Sequence, residues 1–197
     1  MSSWCYAYFF SGVSGDQLTL QKVVECISEN KLKFDSSISL SKEVDDKGHL
    51  EELGEEIILD EPILDSLGSL LSSNEQFLVE CRNPEMMFAC SFAAKYKNPH
   101  FVLGWSNKIF ARLKQDSQEL YFDMFLNVAK KSSAEYVIFV NDPPDYFEDK
   151  FSVVDDAPIL DTHTSAGTPY EIVEVWIKEG SLVPESVKVI DVKVEFF

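Results

Sequence analysis

Arginine is nearly absent: Arg82 and Arg112 are the only two in 197 residues, and Lys130-Lys131 is the only adjacent basic pair. Phosphate contacts need clustered Lys or Arg, and a basic pair closing a helix is explained by the helix dipole. Direct nucleic-acid binding is therefore not expected. Long apolar runs are missing too. None approaches the ~20 residues that span a bilayer, and Met1-Ser2-Ser3-Trp4 has no basic region leading into an apolar stretch. These absences lead to the expectation of a cytoplasmic protein with no membrane segment.

Catalytic signatures are also lacking. Cys5, Cys26, Cys81 and Cys90 form no C-x-x-C pair and have no zinc-like spacing. His49, His100 and His163 never fall in an H-x-x-x-H or H-E-x-x-H pattern, and no EF-hand loop is present. Ser14, in Gly12-Val13-Ser14-Gly15, lies between a strand pattern and a helix pattern, but the segment is neither G-x-S-x-G nor a P-loop and reads as a backbone turn. No catalytic residue, metal ligand or cofactor is assigned. One enzymatic alternative stays open, a metal-dependent hydrolase. It would need several of Asp142, Asp145, Asp149, Asp155, Asp156, Asp161 and His163 to converge on one cation.

What the chain does have is placed acidity. Of the net charge of -17, all but two units sit in two segments. From Glu43 to Asp65 there are ten carboxylates and one lysine, and from Asp142 to Asp161 seven carboxylates and one lysine. The remainder is nearly neutral. General solubility does not require such clustering, whereas charge complementarity to a basic partner does. The second segment also carries Tyr146 and Phe147 among its acids, a composition suited to aromatic anchors inside a charged rim.

A core is available as well. Hydrophobic residues make up 45% of the chain, with 15 Phe, 7 Tyr and 3 Trp, which is too apolar for a disordered acidic tail. At this length one domain over residues 1–197 is expected. Trp4 to Phe10 reads as a strand buried on both faces. Leu20, Val23, Val24 and Ile27 give a helix from Leu18 to about Glu29, capped by Asp16 or Thr19. Ser36 to Leu40 reads as a short strand, followed by turn chemistry at Asp45-Asp46-Lys47-Gly48. Glu55-Glu56 reads as a loop, and Asp60-Glu61-Pro62 as the start of a second helix ending at Ser72-Ser73-Asn74.

Three strand patterns follow, Gln76 to Arg82, Glu85 to Ala94 and His100 to Trp105, as an antiparallel meander. A two-residue turn at Asn83-Pro84 would set Cys81 opposite Met86 and Cys90 opposite Phe77, so no disulfide is expected. Asn107 to Lys130 reads as helical, broken near Asp116-Ser117, with Leu120, Met124, Phe125 and Val128 buried. A strand at Glu135 to Val140 leads into an irregular acidic loop over about 141–170. Strands at Glu171 to Lys178 and Val187 to Phe196 close the chain, the first with Val173, Val175 and Ile177 on one face, the last with a bulge near Ile190-Asp191.

The expected fold is α+β, a mixed, largely antiparallel sheet of about six to eight strands with three or four helices packed on it. The expected function is non-catalytic: a cytosolic acidic protein that binds and neutralises a basic protein, as an immunity protein blocks a toxin enzyme. The candidate contact residues are Asp45, Asp46, Glu51, Glu52, Glu55 and Glu56 in the first segment, and Asp142, Asp145, Tyr146, Phe147, Asp149, Asp155 and Asp156 in the second. The second segment is preferred for its aromatics.

Overall fold

A computed structural model describes residues 3–11, 19–44, 50–73, 76–93, 100–143, 147–154 and 157–197, with the backbone alone at 41–44, 50–55, 71–73, 100, 148–149 and 153. The Gly12-Val13-Ser14-Gly15 turn, Asp16, Asp45, Asp46, His49, Asp145, Tyr146, Asp155 and Asp156 lie outside the described residues.

The sheet is built around the first strand. β1 (Trp4–Phe10) is flanked by β6 (His100–Ser106) and β7 (Tyr136–Asn141), both antiparallel to it. On the β6 side follow β5 (Met87–Ala93), β4 (Gln76–Arg82), β2 (Lys33–Val44) and β3 (Leu50–Ile58); on the β7 side follow β10 (Glu171–Ile177) and β11 (Lys193–Phe196). Among the described residues only the β10–β11 pair is parallel, so the nine-stranded sheet is mixed and largely antiparallel, and the fold is α+β. A separate hairpin, β8 (Phe151–Val154) and β9 (Ala157–Leu160), brings the strand number to eleven, more than the six to eight expected. Four helices are described: α1 (Leu20–Glu29), α2 (Ile63–Ser73), α3 (Asn107–Phe110) and α4 (Gln115–Lys131).

Each face of the sheet has its own core. The side chains of Ala7 and Phe9 in β1, Phe77, Val79 and Cys81 in β4, and Phe88, Cys90 and Phe92 in β5 meet Val23, Val24 and Ile27 of α1 and Met124, Phe125 and Val128 of α4. Rings interlock here: Trp105 stacks on Phe125 at 5.0 Å between centroids, and Phe139 meets Trp176 at 4.8 Å. On the opposite face Tyr8, Phe10, Tyr136, Ile138, Val175 and Ile177 are covered by Phe147, Phe151, Leu160 and Val187 from the 142–190 region. That cover reaches only the β10, β7 and β1 half. Over β5, β4 and β2, no described core residue sits on this second face, and Leu78 and Ser91 there are half-buried while Glu80, Arg82 and Met87 are exposed.

Several local expectations are corrected. α4 begins at Gln115, with four residues between it and the end of α3, so the break lies before Asp116-Ser117 and the buried stripe runs through Tyr121 while Leu120 is 65% exposed. Glu55-Glu56 belongs to β3 and not to a loop. β2 runs on to Val44, well past Leu40, because its ladder with β3 continues there through Ser41, Glu43 and Val44 after the β4 ladder ends at Leu40. The late bulge falls between Ile172 and Glu174, turning Val173 outward, and Glu185–Lys188 is a 3₁₀ turn that leaves only Lys193–Phe196 as strand. The β4–β5 connection is longer than two residues: Asn83 N–H donates to Met86 O at 2.9 Å, and the Asn83 side chain accepts from the N–H groups of Glu85 and Met86.

One glycine is fixed by its neighbour. Tyr6 is the register partner of Gly104, and a Cβ at 104 would lie 2.6 Å from Tyr6 Cε1. Gly104→Val should destabilise by about 1–3 kcal/mol in urea unfolding, as overpacking does. The Tyr6→Ser background should reduce that penalty; an equal cost with and without the ring would show that the contact is not the cause.

Candidate partner-binding surface

The first acidic segment forms one border of the sheet. β3 is the outermost strand next to β2, and Glu51, Glu52, Glu55 and Glu56 lie along it. The β2–β3 register shifts three times, between Ser39 and Ser41, Ser41 and Glu43, and Glu43 and Val44, so the edge is bent by irregularities of the kind that discourage strand addition. Within that register Glu43 and Glu52 are partners, two like-charged residues opposite one another. Such pairs are destabilising in a sheet. Glu56 is exposed and accepts a hydrogen bond from Ser37 Oγ, and Ile58 beside it is 77% exposed.

The acids that follow have local work to do. Asp60 and Glu61 precede α2 and Asp65 lies in its first turn, where negative charge complements the helix N-terminus. Glu61 Oε1 accepts from Ser66 Oγ at 2.9 Å.

The second segment is tied to the sheet more than sequence composition suggested. Asp142 adopts a left-handed backbone (φ 39°) after β7; its Oδ1 accepts from Trp4 N–H at 2.7 Å, and its own N–H donates to Trp4 O at 2.7 Å. It closes the end of the β1–β7 ladder. Phe147 is fully buried, its ring 4.9 Å from Tyr8 and 5.4 Å from Tyr170, so it is a core residue and not an exposed anchor for a partner. Asp149 lies in the 3₁₀ turn Phe147–Lys150. What read as an irregular loop is therefore a 3₁₀ turn, the β8–β9 hairpin and an isolated bridge between His163 and Pro169, held down by Phe147, Phe151 and Leu160.

Of the residues of the hydrolase alternative, Asp145, Asp155 and Asp156 lie outside the described residues, and the side chains of Asp142, Asp161 and His163 are described. Asp161 Oδ1 accepts from His163 N–H at 3.0 Å, and the His163 ring pairs with Thr162 Oγ1 at 2.9 Å. Among the described residues no group of three or more His, Cys, Asp and Glu is placed to hold a metal ion.

β7, from which the second segment emerges, and β3 are six strands apart, about 29 Å at ~4.8 Å per strand. A standard interface of ~800 Å² per partner would have to run this whole width to include both segments. The structure thus separates the two acidic regions that the charge map left unrelated.

Sequence reasoning missed a surface cavity of about 300 Å³ where the end of α1, the β4–β5 connection and α4 meet, lined by Lys31, Asn83, Glu85 and Tyr121 among others. Asn83 and Tyr121 hydrogen-bond across it at 2.7 Å. No pattern in the sequence marks it. Also unmarked is the polar cluster at the end of β1 and β7, where Asn107 Nδ2 donates to Ser3 Oγ and Asn141 Oδ1, and Asn141 Nδ2 donates to Glu171 Oε1.

No protein-family model matches the chain, and no curated protein or solved structure shows significant similarity to it. Its class rests on architecture alone: an α+β protein with a nine-stranded, largely antiparallel sheet. Among the described residues no helix is long and apolar enough to cross a membrane.

Two predictions follow from burial. Phe147→Ala should cost about 3–5 kcal/mol of folding stability in denaturant titration, as for other core phenylalanines, whereas a surface phenylalanine would cost almost nothing. The second concerns alkaline pH. Burial, aided by the charges of Glu171 and Asp142 and partly offset by a hydrogen bond from the Tyr6 backbone, pushes the Cys5 thiol from 9.0 up to about 12. Burial and Glu135 push the Tyr136 phenol, which donates to Leu182 O, from 10.0 to about 12. The folded state holds both protons more tightly than the unfolded chain, so their stabilisation is complete below pH 9 and is lost between pH 9 and 12. Thermal melts across that window should show a falling Tm; a flat profile would contradict the burial of both groups.

Proposed function

We propose that this chain is a non-catalytic, cytoplasmic acidic protein that binds and neutralises a basic protein, as an immunity protein occupies the cleft of a toxin enzyme. The observation that supports this reading is the position of part of the first acidic segment: Glu51, Glu52, Glu55 and Glu56 lie along the outermost strand of the sheet, with Glu52 opposed in register to Glu43 of β2. Like charges facing one another are a standing cost that a lysine or arginine from a partner would remove. Glu51, Glu52, Glu55 and Glu56 are the central contact residues, with Asp45 and Asp46 in the connection between β2 and β3. Asp142, Asp145, Tyr146, Asp149, Asp155 and Asp156 become a secondary contact region, since the burial of Phe147 removes one of the two aromatic reasons for preferring them.

The same placement supports a plainer second reading. Charge on a sheet edge keeps the strand from pairing with another chain, so β3 would be acidic for the sake of the monomer alone. The two readings part in experiment. A partner captured at low salt from a lysate of the encoding organism, then purified, should associate at a rate that falls steeply with ionic strength. A quadruple variant with Glu51, Glu52, Glu55 and Glu56 changed to Gln should associate at least ~10-fold more slowly. Equal binding at low and high salt, or by the variant, would remove the electrostatic interface. A variant that instead self-associates with no partner found would favour the edge-protection reading.

A further inference from the structure

The β4–β5 hairpin contains a pair of thiols that the acidic surface does not involve. Because the connection is longer than two residues, Cys81 is opposite Phe88 and Cys90 is opposite Val79, which makes the two cysteines diagonal neighbours on the helix-facing side of the sheet. Diagonal residues of an antiparallel pair are ordinarily ~7–8 Å apart, at the upper limit of a disulfide's span, so bond formation draws the two strands together locally. Here the two sulfurs are 3.3 Å apart, and both residues are fully buried. A disulfide has its sulfurs about 2.05 Å apart, so an approach of about 1.3 Å separates this dithiol from a bond. Cys5 is on β1, two strands from Cys90 and about 10 Å away at ordinary strand spacing, too far to compete. Among the described residues Cys5 and Cys26 make no sulfur–sulfur contact.

We propose that Cys81 and Cys90 are an oxidisable dithiol, a disulfide modification site that fastens β4 to β5, with a peroxide as the oxidant. One thiolate attacks a peroxide oxygen; the O–O bond breaks, an S–O bond forms, and hydroxide leaves and takes up a proton. The second sulfur then attacks the sulfenic sulfur. The S–O bond breaks, the S–S bond forms, and the hydroxyl leaves as water with the second thiol's proton. Two thiols and one hydrogen peroxide give one disulfide and two waters, the sulfurs losing the two electrons that the peroxide gains.

The surroundings favour closure over further oxidation. Val79, Phe88 and Phe92 make the pocket apolar, so a sulfenic hydroxyl is poorly accommodated there and the neighbouring thiol is in contact range to remove it. The same burial pushes the Cys90 thiol well above its ordinary value, with Cys81 beside it adding to the shift. Thiolate at Cys90 is therefore scarce, and its reaction is slow at neutral pH and faster in alkali.

The test uses the full chain with hydrogen peroxide at mildly alkaline pH. Folding is followed by circular dichroism, residual thiols are blocked with N-ethylmaleimide in denaturant, and peptides are mapped without reduction. The expected result is one cross-linked species joining Cys81 to Cys90, two maleimides on Cys5 and Cys26, an unchanged spectrum, and full reversal by dithiothreitol. Cys90→Val should abolish the link and leave three blocked thiols; if that variant does not fold, the wild-type link and its acceleration with pH decide the matter. Four blocked thiols in peroxide-treated folded protein would overturn the proposal. So would a link seen only once the spectrum is lost, irreversible sulfinic products in place of the link, or links to Cys5 or Cys26 in comparable yield.

Discussion

The burial of β1 on both faces is the constraint from which the rest of the fold follows. Ala7, Phe9 and Phe10 are fully buried, and the side chains alternate between two separate cores. A strand in that position needs a layer on each side. The helices supply one. The other is supplied by the 142–190 region, whose Phe147 and Phe151 seat on Tyr8 and Phe10 at 4.9 and 4.6 Å between ring centroids. An acidic segment that looks like free surface in composition is thereby committed to structure through its aromatic residues Phe147 and Phe151.

For the proposed function, this arrangement favours one acidic region over the other. β3 lies at the far border of the sheet, away from the second core, and Glu56 on it is exposed. Around α2 the negative charge is used by the helix start, and at Asp142 by the end of the β1–β7 ladder. Glu51, Glu52, Glu55 and Glu56 lie instead along the outermost strand, where charge also guards an edge. Charge of that kind steers encounter with a basic surface over distances comparable to the Debye length, ~8 Å at physiological salt.

Much of the fold was legible in the sequence because local pattern and tertiary role agreed. The aromatic run Trp4 to Phe10, the i, i+3, i+4, i+7 stripe of α1, the Asp60-Glu61-Pro62 start of α2 and the meander of β4, β5 and β6 all match the structure. Where the reading failed, a distant contact outweighed the local signal. Glu51-Glu52-Leu53-Gly54-Glu55-Glu56 has no strand alternation and becomes β3 through its ladder with β2. Phe147 among acids looked like an anchor, and only the Tyr8 ring beneath it reveals a core residue. The thiol pair was hidden by a turn: a connection two residues longer than assumed moves Cys90 from opposite Phe77 to opposite Val79, beside Cys81.

The most direct test of the account is hydrogen–deuterium exchange on the chain with and without its captured partner. If the edge strand is the interface, amide protection on binding should concentrate in residues 50–58 and the adjoining start of α2, with the β8–β9 hairpin little changed. Protection confined to the 142–161 region, or spread over neither acidic segment, would contradict it.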